Sequence, residues 1–314
     1  MKKFLSLFLI LTLVSLFGGC AAAGNQAAEK GEWESVQVAF EADDYYARLE
    51  RCVKQIREKT DFVPDIVLVL GSGLGDYADS VKIVAEIPYS EIEGFPVSTV
   101  AGHDGTLIFC EIEGKKVVVM NGRVHYYEGY DIHEVVLPLR VLHLLGAETV
   151  VLTNAVGAIN ADYNVGDFVL NVDYISSFVP SPLTGENIDK LGDRFVDMTN
   201  AFDEELNAIV EGVANENKIP VHRGVMVQTT GPQYESPAEI KMYRSLGADT
   251  VGMSTVVETI AARHMGMRVC SISCITNMAA GMQEKISHEE VQSSSDDASK
   301  SFAVLVSGLL KKMA

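Results

Sequence analysis

Apolar residues along this chain change period several times, and each change marks an element. Across residues 43–59 they fall at Tyr46, Leu49, Val53 and Ile56, the spacing of one helical face, with acids early and bases late. Pro64 breaks that pattern. Residues 65–70 form a continuous β-branched and leucine run, as expected of a strand buried on both faces. Thr106–Ile112 and residues 115–120 flank Glu113-Gly114 and read as a hairpin. Further strands are predicted at 149–153, 166–172, 224–228, 250–252 and 268–276. Helices are predicted at 133–145 (despite Pro138), 203–217, 237–246 with Pro237 in its first turn, 257–265 and 288–312. Strands and helices alternate, and polar residues gather at strand ends. That pattern predicts an α/β protein with its site at the strand termini. Residues 176–193, rich in Pro, Ser, Gly and Asp, read as an excursion loop of the kind that forms lids. Residues 278–287, with Gly281, form a second loop expected to move on binding. There is no internal repeat and no second-domain boundary.

The first residues follow a different rule. Met1-Lys2-Lys3 is basic, and residues 4–17 are apolar but too short to span a bilayer comfortably. Gly18-Gly19-Cys20 follows, then a small, polar stretch. This reads as a secretory signal, and it resembles a bacterial lipoprotein lipobox in which Cys20 would be lipidated and become the new N-terminus. Phe17 stands where that motif more often has leucine. A plain signal peptide or an uncleaved anchor is the alternative, and an unprocessed leader would leave the protein in the cytoplasm. The expected division is signal peptide 1–19, flexible tether 20–40 and one folded domain 41–314, anchored to the outer face of the cell membrane.

Composition narrows the function. The chain has 314 residues, 47% hydrophobic and 22% charged, enough for a sizeable core. A net charge of −18 argues against a general nucleic-acid-binding role. There is no Walker A loop, HExxH or CxxC, and no metal is expected. The five cysteines do not form a disulfide framework, and Cys270 and Cys274 lie on a buried-strand pattern. An anionic substrate would therefore need a local cluster of cations. Residues 121–130, NGRVHYYEGY, offer one at a strand end. Arg123 and His125 alternate with Val124, so an extended chain points both the same way. A fixed cation beside a titratable ring suits phosphate, although a solvated turn has the same composition. Gly71-Ser72-Gly73-Leu74-Gly75-Asp76 places Asp76 where a dinucleotide fingerprint needs its third glycine. A phosphate-cradling turn and a tight structural turn both remain open there. So do both readings of His103, as ligand or as solvated loop residue. Asn154-Ala155-Val156-Gly157-Ala158 marks close backbone approach after a strand.

Eight segments occur in order: GSGLG, GHDG, NGRVHYYEGY, TNAVGAIN, GPQYES, GMSTVVETIAARHMG, SCITNMAAG and SHEEV. Together, over residues 45–314, they resemble the trimeric-type purine nucleoside phosphorylases. The leader is not part of that family's usual pattern. The resemblance implies a single-domain nucleoside phosphorylase fold, with a mixed twisted sheet flanked by helices, and a homotrimer. It implies phosphorolysis of 6-oxopurine (deoxy)ribonucleosides for purine salvage, with inorganic phosphate as co-substrate and no cofactor. Phosphate would be held by Ser72, His103, Arg123, His125, Ser254 and the Ala155 backbone. Glu235 would accept the purine N1–H, and Asn277 would bond the O6 and N7 edge. Tyr127, Tyr234 and Met253 would line the sugar and base, and His288 would reach the 5′-hydroxyl. His125, Glu235 and Asn277 are the residues implied to be catalytic. Asn277 also separates this reading from a 5′-methylthioadenosine phosphorylase, which usually carries Asp there. A non-catalytic surface receptor for nucleosides is the third reading, suggested by the leader alone.

Overall fold

The computed structural model describes residues 40–71, 77, 81–99 and 105–313. The leader with Cys20, the turn carrying Ser72 and the loop carrying His103 lie outside the described residues.

Among the described residues, nine strands form one mixed sheet in the order β2-β3-β4-β1-β5-β8-β7-β6-β9. They are β1 (Ile66–Val69), β2 (Lys82–Pro88), β3 (Thr106–Ile112), β4 (Lys115–Asn121), β5 (Thr149–Ala158), β6 (Phe168–Ile175), β7 (Val221–Gln228), β8 (Thr250–Gly252) and β9 (Arg268–Met278). β1 pairs in parallel with β4 and β5, and all four of its residues are buried. β9 pairs in parallel with β5 and antiparallel with β6. Strands β5, β8, β7, β6 and β9 therefore close into a ring at one end of the sheet.

Helices cover both faces, and alternate residues of β1 show how. Val67 and Val69 pack with Leu49 of α1 (Ala42–Arg57) and with Leu137 and Leu142 of α2 (Ile132–Leu144). Leu68 packs on the other side with Val210 of α3 (Glu204–Asn217) and Phe302 of α6 (His288–Lys312). This period-two division follows from the pleat. Two shorter helices, α4 (Pro237–Ser245) and α5 (Val256–His264), each start just after a site segment.

Three sequence expectations change. The buried face of α1 is Tyr45, Leu49, Cys52 and Ile56, rotated by one residue from the expected stripe, so Tyr46 and Val53 are only half-buried. β5 and β9 run on through segments read as turns, because each supplies the other's backbone partners, from Thr149↔Arg268 to Ala158↔Met278. β2 has no counterpart in the hydrophobic pattern. Among the described residues it is an edge strand paired with β3 alone, and five of its seven residues are exposed or half-exposed before Ile87 turns inward. Cys270 and Cys274 are buried on β9 as expected, and Cys52 and Cys110 are buried and free as well. Burial pushes the Cys270 and Cys274 thiols up to about 12, which keeps them unreactive.

Candidate active site

A cleft of about 750 Å³, counting its open mouth, lies where β1, β4, β5, β8 and β9 end. Ten of the candidate residues line it together: Arg123, His125, Tyr127, Ala155, Tyr234, Glu235, Met253, Ser254, Asn277 and His288. They come from six separate segments, so no local pattern fixes their meeting; the pairing of β4, β1, β5 and β9 aligns Arg123, Ala155 and Asn277, and β8, paired with β5 and β7, brings in the segments after β7 and β8.

At the inner end sits Arg123, which is 2% exposed. Its Nε donates to Glu258 Oε1 at 3.0 Å, and its Nη1 donates to the Thr153 carbonyl at 2.7 Å and to Ser254 Oγ at 3.3 Å. A guanidinium clamped on a strand carbonyl and a helix carboxylate is held in one orientation, as a ligand for a tetrahedral anion must be. Glu258 uses its other oxygen to accept from Thr255 N at 2.8 Å. Thr255 has φ +83°, a left-handed conformation that a β-branched residue adopts only under constraint. That turn sets Ser254 beside Arg123. The N-terminus of α5 does not itself face an anion freely, because Gln228 Oε1 already accepts from Val256 N and Val257 N.

His125 is buried and stacks on Tyr127, ring centroids 4.7 Å apart. Tyr127 lies in a single 3-10 turn, Tyr126–Glu128, rather than on an extended strand. The expected alternation therefore ends before it, and the turn brings its ring to the cleft. Glu128 closes that turn, accepting from His125 N at 2.7 Å with its Oε1 3.3 Å from His125 Nδ1. Its other oxygen accepts from Thr99 N at 2.6 Å and Thr99 Oγ1 at 2.8 Å. Burial opposes its ionisation, but the hydrogen bonds from His125 and Thr99 prevail and hold the carboxyl down at about 2. An ionised Glu128 thus fixes the ring of His125 and ties it to the segment at 97–99.

At the outer end are a carboxylate and an amide. Glu235 follows β7 and precedes the Ser236 cap of α4, and its Oε1 accepts from Thr229 Oγ1 at 2.9 Å. Burial raises its pKa, with the Thr229 hydroxyl acting in the opposite direction. Asn277 is 4% exposed and is the second-last residue of β9. The register steps from Val156↔Ile275 to Gly157↔Asn277, leaving Thr276 as the extra residue of a bulge. Bulges re-aim side chains, and here the step sets Asn277 on the cleft. Thr276 Oγ1 donates to Asn277 Oδ1 at 3.1 Å, and Asn277 Nδ2 donates to the Met278 carbonyl at 3.0 Å. One N–H of that amide is left for a ligand. His288, the first residue of α6, is exposed at the mouth.

The phosphorylase superfamily model matches residues 65–311. Purine nucleoside phosphorylase 1 of Geobacillus stearothermophilus is 45% identical over 267 residues, covering 85% of this chain and 97% of that protein. The Bacillus subtilis protein of the same name is 42% identical over 264 residues, covering 84% and 97%. The chain belongs to the purine nucleoside phosphorylase family. A solved purine nucleoside phosphorylase of Schistosoma mansoni, in complex with inosine, superposes with a TM-score of 0.81 at 38% identity, covering 85% of this chain and 97% of that one.

Several residues of this purine nucleoside phosphorylase site were not singled out by sequence. Glu258 completes a Thr-x-x-Glu capping box, a spacing visible in the chain, but its bond to Arg123 spans 135 positions and is not. Glu128 stands three residues after His125, and Thr229 stands six before Glu235. Behind the cleft, Ser273 Oγ donates to Asn154 Oδ1 at 2.7 Å, and Asn171 Nδ2 donates to Ser271 at 2.7 Å and Ser273 at 3.0 Å. These buried hydroxyls and amides tie β5, β6 and β9 together across the strand ring. Among the described residues, no group of three or more His, Cys, Asp or Glu could hold a metal.

Proposed function

We propose that this protein cleaves purine nucleosides by phosphorolysis, preferring 6-oxopurines, and that it works as an exported, lipid-anchored homotrimer. The observation that carries the catalytic reading is the shared cleft: a buried, clamped Arg123 with Ser254 and His125 at one end, and Glu235 with Asn277 at the other. Phosphate held by Arg123, His125, Ser254 and the Ala155 N–H supplies the oxygen that bonds to the anomeric carbon. Ser72 and His103 complete that set in this proposal. As the carbon–nitrogen bond breaks, its electron pair passes to the purine. Asn277 then donates to N7, a contact that strengthens as negative charge builds there. Glu235 accepts the N1–H of a 6-oxopurine and the 2-amino group of guanine. Tyr127 and Met253 pack on the ribose, Tyr234 on ribose and base, and His288 meets the 5′-hydroxyl.

The preference rests on Asn277 and Glu235 as a matched pair. A 6-amino purine has no N1–H for Glu235 to accept, and the half-buried carboxylate then keeps its Thr229 partner but loses its base partner. The Schistosoma mansoni enzyme has been solved with adenosine as well as with inosine, so the preference is a ratio of rates rather than an exclusion. Base release from inosine, guanosine, adenosine and methylthioadenosine should favour the first two. Comparable turnover of all four would defeat the preference.

Assembly and export rest on other observations. Phe195 is 91% exposed in the 176–203 excursion, the kind of aromatic that an assembly buries. Sedimentation should give a trimer; a monomer at micromolar concentration would refute it. Export rests on the apolar run before Gly18-Gly19-Cys20. A Cys20→Ala variant should be released from the membrane fraction, and unchanged membrane association would refute lipidation. Salvage of external nucleosides is the role such a location suggests.

A further inference from the structure

The excursion after β6 covers a small cavity that the proposed reaction does not use. Arg140 of α2 and His264, the last residue of α5, line it from below, and Pro182, Thr184 and Ile188 line it from above. Phe40 closes one side, stacked on His133 with ring centroids 3.9 Å apart. Arg140 is 2% exposed and His264 is 5% exposed. Arg140 Nη2 donates to the Pro182 carbonyl at 3.0 Å, but among the described residues its Nε and Nη1 meet no acceptor and neither ring nitrogen of His264 makes a hydrogen bond of good geometry.

The carboxylate of Glu186, exposed at the rim, also lines the cavity, and two other nearby acids are matched elsewhere. Glu134 pairs with Arg48, and Asp131 pairs with His133 at 2.6 Å. His133 Nε2 is 2.9 Å from the Thr184 carbonyl, and the Gly192 carbonyl beside His264 accepts from Asn187 at 3.0 Å. The face of Tyr45 lies 5.3 Å from the Arg140 guanidinium carbon and attracts a cation without carrying a formal negative charge. Among the described residues, no carboxylate makes an ion pair with Arg140. A buried guanidinium left in that condition is strongly destabilising, and a counter-charge removes the cost. Burial and the positive charge of Arg140 lower the pKa of His264, against the Gly192 carbonyl and Asp193, which act in the opposite direction.

We propose that this cavity binds one small monatomic anion, a halide, between Arg140 Nε and Nη1 and the ring N–H of His264. Size selects the class. The cavity holds about 210 Å³ counting its open mouth, against about 750 Å³ for the cleft, and a monatomic ion is the anion that needs least of it. Water would satisfy the donors but leave the charge uncompensated. The bound anion joins α2, α5 and the excursion at one point, and so stabilises the fold without entering the reaction.

The test uses the full chain. Crystals soaked in bromide should show an anomalous peak between Arg140 and His264. Thermal unfolding at constant ionic strength should give a higher Tm in chloride than in gluconate, which is too large to enter. The rise should saturate, reaching about 2–4 °C at a tenfold excess over Kd. In a His264→Gln variant the chloride dependence should weaken while inosine turnover persists. Absence of the bromide peak overturns the proposal, whether a water or a carboxylate from a second copy occupies the position. Equal Tm in the two salts for the wild-type protein overturns it as well.

Discussion

Replacing Glu235 by glutamine separates recognition of the base from stability of the fold. The side chains have the same shape, and a glutamine oxygen still accepts from Thr229 Oγ1, now 2.9 Å from the carboxylate. What is lost is the charged acceptor for the purine N1–H. Hydrogen bonds to charged groups contribute about 1.5–3 kcal/mol. At about 1.4 kcal/mol per tenfold, kcat/KM for inosine should fall roughly 10- to 150-fold. Guanosine, which also presents its 2-amino group to Glu235, should lose more. Stability should move the other way. Burial raises the Glu235 pKa, so the folded state holds that proton more tightly than the unfolded chain. Its contribution is present below the unfolded value and is lost as pH rises through the folded one. Glutamine carries no such loss, so at pH 7 the variant should melt at the same temperature or higher. The raised pKa also places the acid limb of the inosine pH–rate profile above the ordinary glutamate range, and the variant should lack that limb. Steady-state kinetics from pH 4 to 8 with calorimetry at pH 7 would decide. Inosine kcat/KM within threefold of wild type, with the acid limb intact, would refute the assignment.

Asn277→Asp should move the inosine-to-adenosine ratio of kcat/KM toward adenosine by about tenfold or more, one hydrogen bond's contribution; an unchanged ratio removes the specificity argument. Gly71→Ala would place a Cβ 2.7 Å from Asn154 Cα and 2.9 Å from the Thr153 carbonyl. That backbone has no room to yield, so Tm should drop by roughly 5 °C and the phosphate KM should rise. Glu128→Gln should raise the phosphate KM through a loosened His125. Because the Glu128 carboxyl is held at about 2, its stabilisation is present above the ordinary carboxylate range and is lost as pH falls toward 2. Acid unfolding of the variant should accordingly show a shallower pH dependence over that window.

How much of this was readable depends on what each element answers to. β1 and the β3–β4 hairpin were legible because a strand buried on both faces, or a Gly turn between apolar runs, is set locally. Asn277 was read as a strand-end residue, and it stands one residue before the end of β9, whose partner is β5 more than a hundred residues away. No local periodicity carries that pairing or the bulge at Thr276. β2 was missed because an edge strand facing solvent lacks the alternation that marks a half-buried one. The site divides in the same way. Arg123, His125, Glu235 and Asn277 were found because polar groups crowd strand ends, and the family motifs gave them roles. Glu258 and Thr229 were not found, since an acid in the first turn of a helix and a threonine in a loop have ordinary local reasons to be there. Their part in the site exists only once α5 and the β7 exit face the same cleft.

The central claim is that phosphate is the attacking group. Purified protein incubated with inosine should release hypoxanthine only when inorganic phosphate is present, with one ribose 1-phosphate formed per base. Base release at the same rate without phosphate, or tight inosine binding with no turnover in its presence, would contradict the account.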